Sequence, residues 1–179
     1  MIQKRAGLST IVTSVMFIIG LFLVGVGVYL KVTEAPSLSY PRDKWEFLWY
    51  KYTEDPQDPW GRYIKRTERT ELSFAEDFLE GEVADTGESE LIGFRASRTL
   101  RVSSRTRYEI ELGSDDGIRL IIYDSDFEEV YRILSGWKDR SYTSYTYERT
   151  FEAGEYKILL EWYENSGEAL FTFIMETIE

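Results

Sequence analysis

Cysteine and histidine are both absent from the 179 residues. Without cysteine there is no disulfide framework, and without either residue no Cys/His metal site. Catalysis by a Ser-His-Asp or Cys-His arrangement within this chain is excluded. Amide side chains are scarce too: Asn165 is the only asparagine, and Gln3 and Gln57 are the only glutamines. Asn165 is followed by Ser166 and Gly167, so the usual N-glycosylation acceptor is missing. Few thermolabile residues beside abundant Glu and Arg match a composition seen in hyperthermophile proteins, and a thermophilic source is expected. The lack of cysteine leaves the redox compartment open, because an exported protein need not contain disulfides.

Positive charge is the next shortage. Lys and Arg total 21 against 32 Asp and Glu, a net charge of -11. A surface that acidic repels phosphates rather than releasing their counterions, which argues against nucleic-acid binding. It also resists lying flat on an anionic membrane. It fits a soluble, displayed domain, or one that meets cations. With 43% hydrophobic residues the chain is long enough for one domain with a sizeable core plus an appendage.

The appendage is at the N-terminus. After a short basic segment over residues 1–7, residues 8–30 form an uncharged apolar run flanked by Lys4, Arg5 and Lys31. At about 1.5 Å per residue such a run spans the roughly 30 Å of a bilayer's hydrocarbon core. The expectation is an uncleaved signal-anchor, single-pass, with the N-terminus cytoplasmic and the remainder outside the cell. A cleaved signal peptide is the plainer alternative, but the run is longer than an h-region, and Thr33-Glu34-Ala35 is followed by Pro36. The stretch Lys4-Arg5-Ala6-Gly7-Leu8-Ser9-Thr10-Ile11-Val12 also resembles the prepilin-type leader of archaeal pilin-like proteins, which implies a filament subunit with the helix in the filament core.

Residues 31–44, with Pro36 and Pro41, read as a linker. From residue 45 onward the pattern is short apolar or alternating runs separated by turn signals, without a long amphipathic helix. Strands are expected at Trp45–Tyr52, Leu91–Phe94, Thr99–Val102, Tyr108–Leu112, Gly117–Tyr123, Val130–Leu134, Tyr156–Tyr163 and Ala169–Met175. This is a mainly β chain, an antiparallel β-sandwich of jelly-roll-like form over 45–179. Between two of these runs lies Ser114-Asp115-Asp116-Gly117. Asp-Gly in that setting predicts a hairpin, because glycine accepts φ > 0. The two aspartates are also hard oxygen ligands of the kind Ca²⁺ takes. A tight turn whose carboxylate bonds nearby N–H groups is the plainer account of them.

Ser114-Asp115-Asp116-Gly117-Ile118-Arg119-Leu120 resembles the hairpin of the protective-antigen-type domain, a β-sandwich of bacterial toxins, glycosidases and flocculin adhesins. Further features follow in that family's order. They are the Phe94–Tyr108 strand pair, Trp137, Ala153-Gly154-Glu155-Tyr156-Lys157-Ile158, and Trp162-Tyr163-Glu164-Asn165-Ser166-Gly167-Glu168-Ala169. Together they cover roughly residues 72–175. The chain departs from the family at Tyr123-Asp124-Ser125, where many members have an Asp-Gly turn. The resemblance implies association with carbohydrate. In its flocculin branch it implies a Ca²⁺ on the positions of Asp115 and Asp116, with an asparagine as a further ligand. Asn165 alone can supply that asparagine.

Other candidates come from the residues. Trp137, Tyr142 and Tyr145, with Tyr147 nearby, could form an aromatic platform for sugar rings, or simply pack across strands. Asp124 and Asp126 could hold a second cation or be a solvated turn. No enzymatic activity is expected: paired carboxylates can hydrolyse glycosides, but 32 acidic residues put some pair at any chosen separation. The expected function is a membrane-anchored surface module that binds a glycan or protein ligand, with Ca²⁺ as the candidate ion and a homo-oligomer as a possible state. A pilin-like filament subunit and an accessory subunit of a membrane complex are the alternatives.

Overall fold

A computed structural model describes residues 36–55, 58–79 and 81–179. The basic N-terminus, the transmembrane helix expected over 8–30 and the first part of the linker lie outside the described residues. Among the described residues no helix is long and apolar enough to cross a membrane.

The described residues form ten strands: β1 (Trp45–Tyr52), β2 (Trp60–Arg69), β3 (Phe74–Asp77), β4 (Ile92–Val102), β5 (Thr106–Ser114), β6 (Gly117–Tyr123), β7 (Glu129–Ile133), β8 (Thr143–Phe151), β9 (Gly154–Glu164) and β10 (Leu170–Ile178). They build a six-stranded sheet of order β2-β1-β4-β9-β6-β7 and a four-stranded sheet of order β3-β10-β5-β8. Every strand pair is antiparallel. Alternate residues of each strand turn inward, as a period of two requires. Trp45, Phe47 and Trp49 of β1 meet Phe94 of β4, Trp162 of β9, and Phe171 and Phe173 of β10 in one core. Most aromatic contacts there are edge-on or tilted, such as Phe94–Phe171 at 5.0 Å and Trp45–Phe173 at 5.3 Å, while Phe47–Trp49 and Phe94–Trp162 are stacked. Rings prefer edge-on geometry to a face-to-face sandwich.

The mainly β, antiparallel character is as expected, and two local expectations are corrected. Leu91–Phe94 and Thr99–Val102 are not two strands but one, β4, whose Arg95 to Arg98 were too polar to read as strand interior. The Asp115-Asp116-Gly117 turn is not a hairpin. β5 pairs with β10 and β8, while β6 pairs with β9 and β7. The turn therefore carries the chain from one sheet to the other, and so does the connection from β4 to β5. Only β1–β2 and β6–β7 pair with their neighbours in sequence. The physical reason is in the dihedrals and the packing. Asp116 takes the positive φ, at 52°, and Gly117 does not. Gly117 is needed for space: a Cβ there would fall inside the Tyr163 ring.

Residues 36–42, expected as linker, are docked on the six-stranded sheet. Thr99 donates its N–H to the Pro41 carbonyl (2.9 Å) and its hydroxyl to the Tyr40 carbonyl (2.7 Å). Ser39 donates to Glu46 of β1 (2.8 Å), and the Tyr40 ring meets Phe127 edge-on at 5.5 Å. Burial pushes the Tyr40 phenol up to about 12.

Tyr163 cannot yield to a methyl group at Gly117. It is stacked on Tyr52 at 4.0 Å, meets Trp137 edge-on, and its hydroxyl is bonded to Asp139. Gly117→Ala is expected to cost about 1–3 kcal/mol, as overpacking does. Equilibrium unfolding of the single and double variants checks the cause: the cost should shrink in a Tyr163→Leu background.

Candidate functional site

At one end of the sandwich three loops converge: the β5–β6 crossing, the β7–β8 loop and the β9–β10 turn. Asp116 ties them together. Its Oδ1 accepts the N–H of Arg140 (3.0 Å), and its Oδ2 accepts those of Asn165 (2.7 Å) and Ser166 (3.3 Å). The Asp116 N–H donates in turn to the Arg140 carbonyl (2.8 Å), and Ser114 Oγ donates to the Asp116 carbonyl (2.8 Å). Asp116 is 5% exposed. Its carboxylate thus acts as a bonded turn residue, but for loops 24 and 49 positions away rather than for its own.

Beside it stand Asp115, part-exposed, and Glu164, fully buried at 0% exposure. One carboxylate oxygen of each of Asp115, Asp116 and Glu164 lies within 4.8 Å of the others. Among the described residues no donor reaches either buried Glu164 oxygen, and only the protonated carboxyl can bond to Asp116, as its donor. Burial, then the neighbouring Asp116 and Asp115, pushes the Glu164 carboxyl up to about 8. Burial and Asp116 raise Asp115 as well, against the backbone amides of Asp116 and Tyr142, which pull it down. Buried like charges a few ångströms apart are unfavourable unless a proton or a cation intervenes.

Glu164 is the residue that sequence reasoning missed. It reads as the start of the Glu164-Asn165-Ser166-Gly167 turn. On the structure it ends the inward stripe of β9: Ile158, Leu160 and Trp162 are in the core, and Glu164 is the next inward position. Counting that alternation one step further would have found it. Asn165 does reach the site, but its backbone N–H is what meets Asp116. Its Nδ2 donates to Asp139 Oδ2 (3.1 Å), and Tyr163 donates its hydroxyl to Asp139 Oδ1 (2.7 Å).

The three aromatic candidates do not share one face. Trp137 lies beside Tyr163, edge-on to it at 4.8 Å and to Trp60 at 6.0 Å, with the Arg119 guanidinium 3.9 Å from its ring. Tyr142 lies across Gly113 on the outer face of the four-stranded sheet, its hydroxyl bonded to Thr172 (3.0 Å). Tyr145 pairs opposite Leu112 and so lies on the other face, yet at this edge strand it stays exposed, with the Arg140 guanidinium over its ring. Asp124 is accounted for as a turn: its Oδ1 accepts the N–H groups of Asp126 and Glu128, both at 2.9 Å.

Three hard carboxylates without nitrogen or sulfur ligands suit Ca²⁺, which takes six to eight oxygens. Asp115, Asp116 and Glu164 would hold it. Asp116 Oδ1 keeps a lone pair beyond its one N–H bond, and carbonyls, water or ligand hydroxyls can complete the shell.

No family model matches the chain, and no curated protein matches it. Solved structures do share the fold. An anti-sigma factor domain-containing protein superposes with a TM-score of 0.58 at 19% identity, covering 74% of this chain and 42% of its own. Another such protein, from Clostridium clariflavum, gives 0.52 at 13%, covering 81% and 46%. A Kluyveromyces marxianus β-glucosidase in complex with glucose gives 0.50 at 11%, covering 75% and 16%. The chain therefore matches less than half the length of each of these proteins, and the likeness is one of fold.

In a chelating buffer the folded domain should keep the Glu164 proton to about pH 8, whereas the unfolded chain loses it near pH 4.3. The folded state then binds more protons across that interval. Stability is full below it, falls as pH rises through it, and is level above it. Melting curves from pH 4 to 9 should show this slope in the wild type and lose it in Glu164→Gln.

Proposed function

We propose that the chain is a membrane-anchored surface module whose sandwich domain binds glycan through a Ca²⁺ held by Asp115, Asp116 and Glu164. The observation that carries this reading is the Glu164 carboxylate. It is buried, without a donor, and faces two further carboxylates. A fold does not place an unpaired acid on the inward stripe of a central strand for stability. A divalent cation offsets two of the three charges and leaves coordination positions for vicinal hydroxyls. The protective-antigen-type resemblance supports carbohydrate as the ligand, as does the presence of the fold in a β-glucosidase crystallised with glucose.

Binding rather than catalysis is the role proposed. The Glu164 oxygens are out of solvent's reach, so they cannot protonate a glycosidic oxygen. Asp116 is committed to three backbone donors. The polarity of the domain supports display. The 36–42 segment joins at Thr99 of β4, and Glu164 pairs with Ile92 at the other end of the same strand. Seven residues of strand separate them, about 23 Å at 3.3 Å per residue.

Calorimetry of the full-length protein tests the ion. Ca²⁺ at 100 times its dissociation constant should stabilise the wild type by about 2.7 kcal/mol. Asp115→Ala should melt like the metal-free wild type and show no shift. Absence of a Ca²⁺ shift in the wild type sinks the cation site. A full shift in Asp115→Ala removes that residue from it. Sugar binding is read separately on a glycan array with and without chelator.

A further inference from the structure

Asp139 is an exposed carboxylate held still. Surface aspartates ordinarily rotate freely, but here one oxygen accepts the Tyr163 hydroxyl and the other the Asn165 amide. Both donors are themselves fixed. Tyr163 is clamped between Tyr52 and Trp137 above Gly117, and burial together with Asp139 raises its phenol well above the ordinary value. Asn165 is anchored through its backbone N–H to Asp116. One residue therefore links the carboxylate cluster to Asp139, with the part-exposed Trp137 ring alongside. A carboxylate has about four acceptor positions and two are taken, so two remain for a ligand.

The surrounding charge is one-sided. Glu90 acts on Glu164, and Glu168 acts on Asp115. Of the nearby cations, the Arg140 guanidinium lies against Tyr145 and Ser114, and Arg119 is paired with Glu161 against Trp137. Lys138 is exposed on the β7–β8 loop. A divalent cation in the cluster, Lys138 and Arg140, which is in no ion pair among the described residues, together still leave this end negative against Asp115, Asp116, Asp139, Glu164, Glu90 and Glu168. An anionic ligand would meet Asp139, Glu90 and Glu168.

Building on the Ca²⁺-dependent glycan reading, we infer that Asp139 is a specificity-determining residue. It accepts hydrogen bonds from hydroxyl or ammonium groups of a sugar seated beside the cluster. It thereby selects neutral and amino sugars against sialylated, uronate and sulfated ones. The acceptor-only chemistry of the carboxylate sets this preference: a hydroxyl or ammonium can donate to it, and an acid group cannot. Preorganisation by Tyr163 and Asn165 removes the ordering cost that a mobile aspartate would add.

The test uses the full-length protein with Ca²⁺ on an array carrying neutral galactosides and glucosides, glucosamine-terminated glycans, and sialylated, glucuronate and sulfated glycans. Wild type, Asp139→Asn and Asp139→Ala are compared, and the Ca²⁺ melting shift is recorded for each. The wild type is expected on neutral or amino glycans. Asp139→Ala should weaken that binding roughly tenfold to a hundredfold, as loss of hydrogen bonds to a charged acceptor does. Asp139→Asn should raise the acidic-to-neutral signal ratio, which a merely structural role would not move. Both variants should keep the Ca²⁺ shift. Preference of the wild type for acidic glycans overturns the inference, and so do unchanged affinity and ratio in both variants. A wild type that shifts with Ca²⁺ but is silent on every glycan overturns it together with the sugar reading and leaves the cation site standing. A wild type without a shift takes down the cation site first.

Discussion

The Asp116 carboxylate is the constraint on which this end of the domain depends. Three loops leave three different strands and meet there without forming a sheet. Their backbone N–H groups would be unpaired as they close over the core, and unpaired buried N–H groups are rarely tolerated. One buried carboxylate accepts three of them. Hydrogen bonds to a charged acceptor contribute about 1.5–3 kcal/mol each, which offsets much of the desolvation of the charge. Asp116 also takes a positive φ, which aspartate tolerates better than most residues. An acid in this position shapes the loops, and the loops in turn bring Asp115, Glu164, Asp139 and Asn165 together.

The β class of the fold was legible because alternation survives in most strands. Trp45–Tyr52 has the bounds found in the structure, and the runs from 117 and 156 fall within β6 and β9. What could not be read was which strands pair. Asp-Gly between two apolar runs satisfies the local rule for a hairpin, yet the same two residues also suit a step between sheets. The decision was made by β10 and β9, which arrive about 50 residues later to pair with β5 and β6. Non-local pairing leaves no mark in a short window. β8 was passed over for a related reason: it is an edge strand with one buried residue, Phe151, so its sequence carries little apolar alternation.

The candidate site was half legible. Two adjacent aspartates draw attention as potential ligands. The structure divides them, giving Asp116 to the backbone and leaving Asp115 part-exposed beside Glu164. The aromatic candidates are not brought onto one face, because spacing in sequence says nothing about which side of a crossing loop each ring takes. Tyr142 and Tyr145 are three positions apart and lie on opposite faces of one sheet; Trp137 packs against Tyr163. Asp139 has no sequence signature at all. Its fixed position depends on Tyr163 and Asn165, whose side chains are brought to it only by the closing of β9 toward β10.

Glu164 is where local and global rules conflict, and that conflict carries information. Ile158, Leu160 and Trp162 establish a stripe that the next inward residue should continue with an apolar side chain. A leucine there would bury area favourably, and a glutamine would at least be neutral. The chain instead has an acid with no donor, beside two more acids, at the cost of desolvating a charge or holding a proton to about pH 8. Sequences that specify one structure break their own patterning where function requires it. Here the break gathers three carboxylates, and no cationic side chain among the described residues is paired with them. Arg140 is near enough to cap Asp116 through its backbone, yet its guanidinium turns away to Tyr145 and Ser114. Had stability alone shaped this corner, that guanidinium would face the carboxylates. Its turning aside leaves the three acids either to hold a proton, as the raised Glu164 carboxyl does, or to take up the cation proposed above.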